Sequence, residues 1–247
     1  MKLTIIGSGD AFGSGGRLQS CFHVDDNGQA FLIDCGVTSL IGFYKLGLDP
    51  NLVSTIYISH LHGDHFGGLV WWILHARHVA NRKTSLVIVG PKGIEERYRQ
   101  AMEVFYPSSQ DVSPDFPLSF KEFDETAPTE LAGIRTTVTP VNHPSGAPSY
   151  ALRFEVAGKI ISYSGDTEWV DGLIDTAAAA DVFICECFGF EDKTSYHMNW
   201  TTLVTKLPSI SARRILLTHM GERMLEQISN LQEPRVLFAN DGFTINF

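Results

Sequence analysis

The segment ISHLHGDHFGG, residues 58–68, carries four side chains of the kinds that bind metal ions: His60, His62, Asp64 and His65. Protonated imidazoles this close together would repel one another, so the cluster would be costly without a partner. A divalent cation removes this cost, because neutral imidazoles and carboxylates are its usual ligands. One cation cannot readily take four ligands from so short a segment. The cluster therefore predicts two cations whose coordination is completed by other parts of the chain.

The strand predicted at 54–58 directly precedes this cluster. In an extended backbone, side chains two residues apart point to the same face, which would direct His60 and His62 together. Asp64 and His65 follow at a predicted turn, and the glycines after them allow a helix to begin close by.

Three more residues of ligand type come directly after β-rich runs. His143 ends TTVTPVNH, Asp166 ends KIISYSGD and His219 ends RRILLTH. Loops that leave the ends of strands commonly carry functional side chains. Taken singly, these residues could cap a turn, cap a helix and lie in a loop. Taken with the first cluster, they supply the ligands that two cations still need.

The remaining pattern predicts alternating strands and helices. Strands are expected at 2–6, 20–24, 30–34, 54–58, 85–89, 118–123, 133–141, 149–156, 159–164, 181–186 and 213–217, with a closing strand pair in 235–247, and helices at 38–46, 67–80, 93–105, 168–180 and 199–207. The turn DDNGQ at 25–29 predicts a hairpin. Mixed strands with interspersed helices fit two sheets between helical layers, so we expect an α/β fold with residues 1–247 in one domain.

The composition is that of an ordinary globular protein, with 44% hydrophobic and 19% charged residues and a net charge of −9. An acidic chain is a poor candidate for coating nucleic acid through its own charge. The four cysteines show no zinc-site spacing and are expected to be buried, reduced thiols. We see no secretory signal and no membrane-spanning run, so a cytoplasmic protein is expected.

The order and spacing of HLHGDH, His143, SGDT at 164–167 and LTH at 217–219 resemble the motifs of the metallo-β-lactamase superfamily. The resemblance covers nearly the whole chain and implies a four-layer αββα sandwich with a two-metal site between its halves. It further implies that the first metal is held by His60, His62 and His143, the second by Asp64, His65 and His219, with Asp166 bridging both and Asp34 supporting the site from behind.

Two segments resemble the ribonuclease Z-like branch of this superfamily. One is the glycine-rich opening LTIIGSGDAFGSGGRLQSC, whose N–H groups could face an anion. The other is FICECFGFEDKTSYHMNW, 183–200, in which Glu186 and His197 match a glutamate and a histidine of the branch. His197 could protonate a leaving alkoxide with Glu186 orienting it, although helix capping and a buried ion pair are the alternatives. The flanking residues differ, and the long arm that grips tRNA is missing between His143 and Asp166.

These features together predict a hydrolase with two zinc ions, manganese or iron being compatible, that hold a hydroxide for attack on phosphorus. Asp64 would help to orient this nucleophile. A nucleotide or other small phosphodiester is the expected substrate; RNA stays open, but tRNA is disfavoured by the missing arm. A lactone or thioester hydrolase is the alternative, and a non-catalytic binding module is disfavoured because every ligand position is intact. The sequence leaves the oligomeric state open, a homodimer included.

Other notable residues have less specific interpretations. The Pro- and Ser-rich loop 107–117 and the helix start at Trp71 and Trp72 are candidates for the substrate rim, with core packing the alternative for the tryptophans. His23, His75 and His78 are expected to be structural rather than metal ligands.

Overall fold

The computed structural model describes residues 1–109 and 115–247, which form two seven-stranded sheets flanked by helices. The strands are β1 (Lys2–Gly7), β2 (Cys21–Asp26), β3 (Gln29–Ile33), β4 (Val53–Tyr57), β5 (Leu86–Gly90), β6 (Leu118–Glu122), β7 (Thr129–Leu131), β8 (Ile134–Pro140), β9 (Tyr150–Val156), β10 (Lys159–Tyr163), β11 (Val182–Glu186), β12 (Ile215–Thr218), β13 (Val236–Phe238) and β14 (Thr244–Asn246). The helices are α1 (Ser39–Leu46), α2 (Gly63–Phe66), α3 (Leu69–His78), α4 (Ile94–Phe105), α5 (Gly172–Thr176), α6 (Trp200–Lys206) and α7 (Glu222–Leu225).

The first sheet has the strand order β14-β1-β2-β3-β4-β5-β6. Its first four strands pair antiparallel, and β3 to β6 run parallel. The predicted hairpin is present: β2 turns into β3 through Asn27 and Gly28, whose φ angles of 53° and 90° match the two positive values that a tight hairpin turn requires. The carboxyl ends of β3 and β4 therefore lie side by side at one edge of the sheet.

The second sheet has the order β13-β12-β11-β10-β9-β8-β7. Strands β7 to β10 pair antiparallel, whereas β10 to β13 run parallel. The carboxyl ends of β10, β11 and β12 consequently meet at one edge, as those of β3 and β4 do in the other sheet. The four-layer αββα architecture expected from the sequence is confirmed.

Three apolar layers hold the sandwich together. The central layer lies between the sheets and contains fully buried side chains of both, such as Phe31 from β3 and Phe154 from β9, whose ring centroids are 5.4 Å apart. An outer layer packs α1, α3 and α4 against the first sheet, and another packs α5, α6 and α7 against the second. Burial of this apolar surface is the main stabilising contribution to the fold. It leaves the strand ends to present polar side chains.

Two predicted helices have different bounds in the structure. The helix expected at 67–80 is preceded by α2, so Asp64 and His65 lie in a helical turn rather than in a loop. The helix expected at 168–180 is limited to the five residues of α5. The carbonyl of Thr176, its last residue, accepts hydrogen bonds from the guanidinium of Arg153 and the hydroxyl of Ser162, two residues of the second sheet.

The prediction of a strand pair in 235–247 is wrong. Both strands are present, but they do not pair with each other. Strand β13 pairs in parallel with β12 of the second sheet, and β14 pairs antiparallel with β1 of the first. The connection crosses between the sheets, and Asp241 in it accepts hydrogen bonds from the backbone N–H groups of Ser8 and Leu18. Each strand therefore extends one edge of a different sheet.

All four cysteines are free and buried, as expected. Burial raises the pKa of the Cys35 thiol to about 12, so this side chain stays protonated and unreactive at neutral pH. None of the helices in the described ranges has the length and apolar character needed to cross a lipid bilayer.

Candidate metal centre

The predicted ligand residues converge at the cleft between the two sheets. The segment with His60, His62, Asp64 and His65 follows β4 of the first sheet; His143, Asp166 and His219 follow β8, β10 and β12 of the second. Their ligand atoms form two groups, each with its atoms within 4.8 Å of one another. We call His60, His62 and His143 the first group, and Asp64, His65, Asp166 and His219 the second group.

The first group consists of imidazoles alone. Nε2 of His143 lies 2.9 Å from Nδ1 of His62, and the ring of His60 contacts both, with centroid distances of 5.0 Å to His62 and 4.8 Å to His143. His60 and His143 are buried, whereas His62 is partly exposed. Three nitrogen donors at this spacing fit one transition-metal ion.

The second group pairs two imidazoles with two carboxylates. Oδ2 of Asp64 lies 3.2 Å from Nε2 of both His65 and His219. Oδ2 of Asp166 lies 3.2 Å and 3.1 Å from the same two nitrogen atoms. All four side chains are buried, with Asp64 the most exposed at 8%, so this is a mixed nitrogen and oxygen site with little access to solvent.

Asp166 stands between the two groups. Besides its contacts within the second group, its Oδ2 lies 3.9 Å from Nε2 of His60 and 4.0 Å from Nε2 of His143. One carboxylate oxygen is thus within reach of four imidazoles. The other oxygen, Oδ1, is buried and forms no hydrogen bond with the described residues.

The protein orients these imidazoles from behind. Nδ1 of His65 lies 2.7 Å from Oδ2 of Asp34, a fully buried residue in the left-handed conformation (φ 58°) that aspartate tolerates better than most residues. The Ser59 hydroxyl donates to the same oxygen at 2.9 Å and lies 3.0 Å from Nδ1 of His60. Because the Ser59 proton is used by Asp34, the hydroxyl accepts from His60 Nδ1–H. His143 Nδ1 likewise donates to the backbone oxygen of Tyr196 at 3.0 Å.

These hydrogen bonds determine which nitrogen of each imidazole is free to bind a metal ion. With Nδ1 protonated, His60, His65 and His143 each present the lone pair of Nε2 to the cleft. The buried Nε2 atoms of His60 and His65 form no hydrogen bond with the described residues, although buried polar atoms normally do. An unpaired lone pair in each of the two groups is what a pair of cations requires, so the side chains fit the metal ions that the sequence implies.

The two groups differ in electrostatics. In the first, burial lowers the pKa of His60 well below its ordinary value and lowers that of His143 to about 4, so both are neutral. In the second, burial alone would lower the pKa of His219, but Asp166 and Asp64 raise it to about 9. Burial would likewise raise the pKa of Asp166, yet His219 and His65 hold it well below its usual range. The carboxylates are therefore ionised and available to a cation.

His197 lies beside both groups, and Glu186 pairs with it. Nδ1 of His197 is 3.2 Å from Oε2 of the fully buried Glu186, whose other oxygen accepts the backbone N–H of Thr167. The His197 ring stacks on that of His219 at 5.6 Å and meets the His143 ring at 4.9 Å. Burial alone would lower the pKa of His197, but Glu186 raises it, which favours the protonated imidazole. Helix capping does not occupy His197, because Asn199 caps α6.

The glycine-rich opening offers few free N–H groups for an anion. The backbone N–H groups of Phe12 and Ser14 donate to the carboxylate of Asp10, and those of Ser8 and Leu18 donate to Asp241. These two aspartates fold the segment back on itself. The loop is therefore built mainly by its own internal bonds.

The other notable residues lie away from the two groups. Trp72 is buried, and Trp71 packs against the rings of Phe105 and Tyr106. His75 bonds to the Tyr44 hydroxyl, as expected for a structural residue. The predicted rim loop 107–117 includes residues 110–114, which lie outside the described residues.

Sequence reasoning missed several residues that act on the site. Ser59 connects Asp34 with His60, and Tyr196 fixes His143 through a backbone oxygen. A serine directly before the first ligand could have been noticed. The role of a backbone carbonyl 53 residues away from its partner has no counterpart in the sequence.

The fold and the convergent imidazoles and carboxylates define a protein of the metallo-β-lactamase fold, and a solved structure agrees: the YhfI protein of Bacillus subtilis superposes with a TM-score of 0.78 at 21% identity, covering 99% of this chain and 98% of that one. Within this class, the chain belongs to the family of the Anti-Pycsar protein Apyc1, which matches residues 1–243.

Two proteins of related sequence align with most of the chain. The Apyc1 protein of Bacillus phage 010DV004 is 26% identical over 234 positions, covering 91% of this chain and 90% of that protein. The ribonuclease Z of Ignicoccus hospitalis is 23% identical over 288 positions, covering 96% and 93%. These relationships, with the residue groups described above, support a metal-dependent hydrolase.

Proposed function

We propose that this protein hydrolyses phosphodiester bonds of small nucleotides, cyclic nucleotides included, with the help of two divalent cations. The observation that carries the proposal is the Glu186–His197 pair placed against both ligand groups. A phosphodiester releases a poorly stabilised alkoxide, which needs a proton, and a protonated imidazole at this position can supply it.

In this proposal the first group holds one cation, His65, Asp64 and His219 hold the other, and Asp166 contributes to both. When bound, the cations would supply hydroxide at neutral pH and offset negative charge on the phosphoryl oxygens. Zinc suits the nitrogen-rich donors, and manganese or iron is compatible with the carboxylates. The unpaired Nε2 atoms of His60 and His65 and the unpaired Oδ1 of Asp166 support this assignment.

The protein's own side chains have separate tasks. Asp64 lies at the second group with a carboxylate whose pKa is far below its usual range, because His65 and His219 offset the effect of burial. It can therefore accept a hydrogen bond from the attacking water and orient it. His197 gives its Nε2 proton to the leaving oxygen. Glu186 holds the ring through Nδ1 and stabilises the protonated state.

Several features favour a small substrate over tRNA. The hairpin of β9 and β10 spans most of the distance from His143 to Asp166, with no protruding arm in between. The net charge is −9, so the overall charge of the chain does not favour binding of a large polyanion. The alignment with the ribonuclease Z of Ignicoccus hospitalis has more positions than this chain has residues, so that enzyme contains insertions relative to this chain. The alignment with the phage Apyc1 protein has fewer positions than this chain has residues.

Substrate panels test the proposal directly. Purified protein should contain close to two metal ions per chain and hydrolyse bis-p-nitrophenyl phosphate and 3′,5′-cyclic nucleotides. Chelation should abolish this activity, and added zinc or manganese should restore it. A panel of acyl lactones and thioesters is the comparison, because the same cations could serve attack on a carbonyl carbon. Turnover of lactones without any phosphodiesterase activity would contradict the proposal.

A further inference from the structure

A cavity of about 360 Å³ opens beside His197. Its other lining residues include Glu168, Trp169, Lys193, Thr194, Ser195 and Thr202. Its volume falls within the range of small-ligand sites, roughly 300–1,000 Å³. The cavity shares His197 with the site, whereas its other lining residues have no part in the proposed catalysis.

The chemistry of the lining suits an uncharged polar ligand. The hydroxyl groups of Thr194, Ser195 and Thr202 can donate or accept hydrogen bonds. One carboxylate, Glu168, offsets the ammonium of Lys193, and His197, the proposed proton donor, is the remaining titratable group of the lining. A sugar can form hydrogen bonds to the hydroxyl groups of these walls.

Trp169 adds an aromatic surface whose position is fixed. Its Nε1–H donates to Asp171 at 2.8 Å, and the ammonium of Lys206 lies 5.2 Å from the centre of the ring. The side chain is only partly buried, so it retains surface for a ligand. Aromatic rings held in place at open sites stack on nucleobases with little loss of conformational freedom.

The position of His197 determines which part of a substrate reaches the cavity. In the proposed reaction His197 protonates the leaving oxygen, so the group attached to that oxygen must lie on the His197 side of the phosphorus. His197 also lines the cavity, so the cavity adjoins the proton donor that this group must approach. We infer that the cavity is the nucleoside subsite, in which Trp169 stacks on the base of the nucleoside whose ribose carries the leaving oxygen. This inference rests on the proposed phosphodiesterase function.

Kinetics with two kinds of substrate test the inference. Trp169→Ala should raise KM for a 3′,5′-cyclic nucleotide by roughly tenfold, the usual effect of removing one stacking partner. The increase should be much smaller for bis-p-nitrophenyl phosphate, which has no nucleoside, and Trp169→Phe should recover most of the affinity. Tyr44→Ala, which removes an aromatic ring that is 62% exposed on α1, is the matched control and should change neither KM.

Binding measurements separate this inference from the proposed function. Uncharged nucleosides such as adenosine and cytidine should quench tryptophan fluorescence of the wild type with or without metal, and Trp169→Phe should lose this response. Inorganic phosphate, which has no base, should inhibit wild type and Trp169→Ala equally. Nucleoside binding without phosphodiesterase activity would overturn the function but retain the subsite. The subsite would be overturned if Trp169→Ala changed KM for both substrates by the same factor and bound nucleosides as tightly as the wild type does. It would also be overturned if only Trp71→Ala lost nucleoside affinity.

Discussion

The two ligand groups at the cleft are built from similar imidazoles but differ in charge and in access to solvent. The first group has three histidines and no carboxylate of its own, and His62 in it is partly exposed. The second has two carboxylates and a third, Asp34, directly behind His65, and all of its members are buried. A divalent cation therefore gains more charge compensation in the second group, which we expect to bind its cation more tightly and to fill first.

Asp166 is the residue that the two groups share, because its Oδ2 lies within 4.0 Å of imidazoles of both. Its removal should therefore affect both groups. Asp166→Ala should lose both cations and lower turnover by more than about 10⁴-fold, since hydroxide is then no longer available at neutral pH. Metal analysis and kinetics measure the effect, and Asp175→Ala, an exposed carboxylate on α5, is the control. Full metal occupancy with normal turnover would rule out a shared ligand.

His197 touches histidines of both groups, yet we expect it to bind neither cation. His197→Ala should keep both ions and lose roughly 10²–10⁴-fold in kcat, the usual contribution of a positioned general acid. The loss should be greater for a ribose alkoxide than for p-nitrophenolate, which leaves without a proton. Glu186→Gln should show a weaker form of this pattern, and His78→Ala, on the exposed end of α3, should show none.

Two outcomes would contradict that role for His197. Loss of metal from His197→Ala would make it a ligand and would change the membership of the groups. Equal losses for good and poor leaving groups would mean that it positions substrate instead of donating a proton. Kinetics and metal analysis on the same sample distinguish the two.

The supporting residues should affect the two groups unequally. Asp34→Asn weakens the hydrogen bond to His65 and should raise the dissociation constant of the second group's cation by roughly 10–100-fold. Ser59→Ala removes the partner of His60 and should weaken the first group, with a smaller effect because a water can replace the hydroxyl. Competition with a chromogenic chelator measures both constants. Equal weakening of both cations by Asp34→Asn would show that the groups do not act separately.

The smallest effect concerns stability of the metal-free protein, which should decline on both sides of neutral pH. The folded-state pKa of His219, about 9, is above its ordinary 6.5, so its stabilisation is complete below pH 6.5 and is lost as pH rises through 9. His143 has a folded-state pKa of about 4, below 6.5, so stability falls as pH drops from 6.5 towards 4. Thermal melting in chelator should shift by a few degrees in each direction.

Two variants test which ligand group causes the loss of stability at alkaline pH and which causes the loss at acidic pH. His219→Gln should flatten the alkaline side, and His143→Gln should flatten the acidic side between pH 6.5 and 5, where the carboxylates are still ionised. Bound metal should suppress both effects by holding the imidazoles neutral. Melting temperatures that rise from pH 7 to 9 without metal would contradict the assignment of the alkaline side.

Much of the fold and site could be predicted because the signals are local. An apolar run followed at once by a histidine or aspartate, as at His143, Asp166 and His219, gives both a strand and the side chain at its end. The resemblance to the metallo-β-lactamase superfamily that these motifs carry implied the αββα sandwich, which is confirmed. The structure brings the seven predicted ligand residues together, while their roles on the metal ions stay predictions.

What the sequence did not reveal depends on distant parts of the chain. The last two strands join different sheets because each fits a separate edge, a choice that no local pattern encodes. Strand β7 is only three residues long and was not predicted, and the last carbonyl of α5 is bound by Arg153 from a strand of the second sheet. The cavity at Trp169 likewise exists only once α6 and the segment before it are folded.

Because each sheet brings only part of the ligand set, chemistry in this molecule requires both halves. A polypeptide ending at residue 109 would contain the histidine segment after β4, and one starting at residue 115 would contain His143, Asp166 and His219. Strand β14 of the later fragment pairs with β1 of the earlier one, so the two have a built-in point of recognition. Neither fragment has a complete ligand set. If the proposed function holds, a protein cut between these residues would serve as a two-piece reporter, because hydrolysis of a chromogenic phosphodiester would signal that the pieces, or proteins fused to them, have come together.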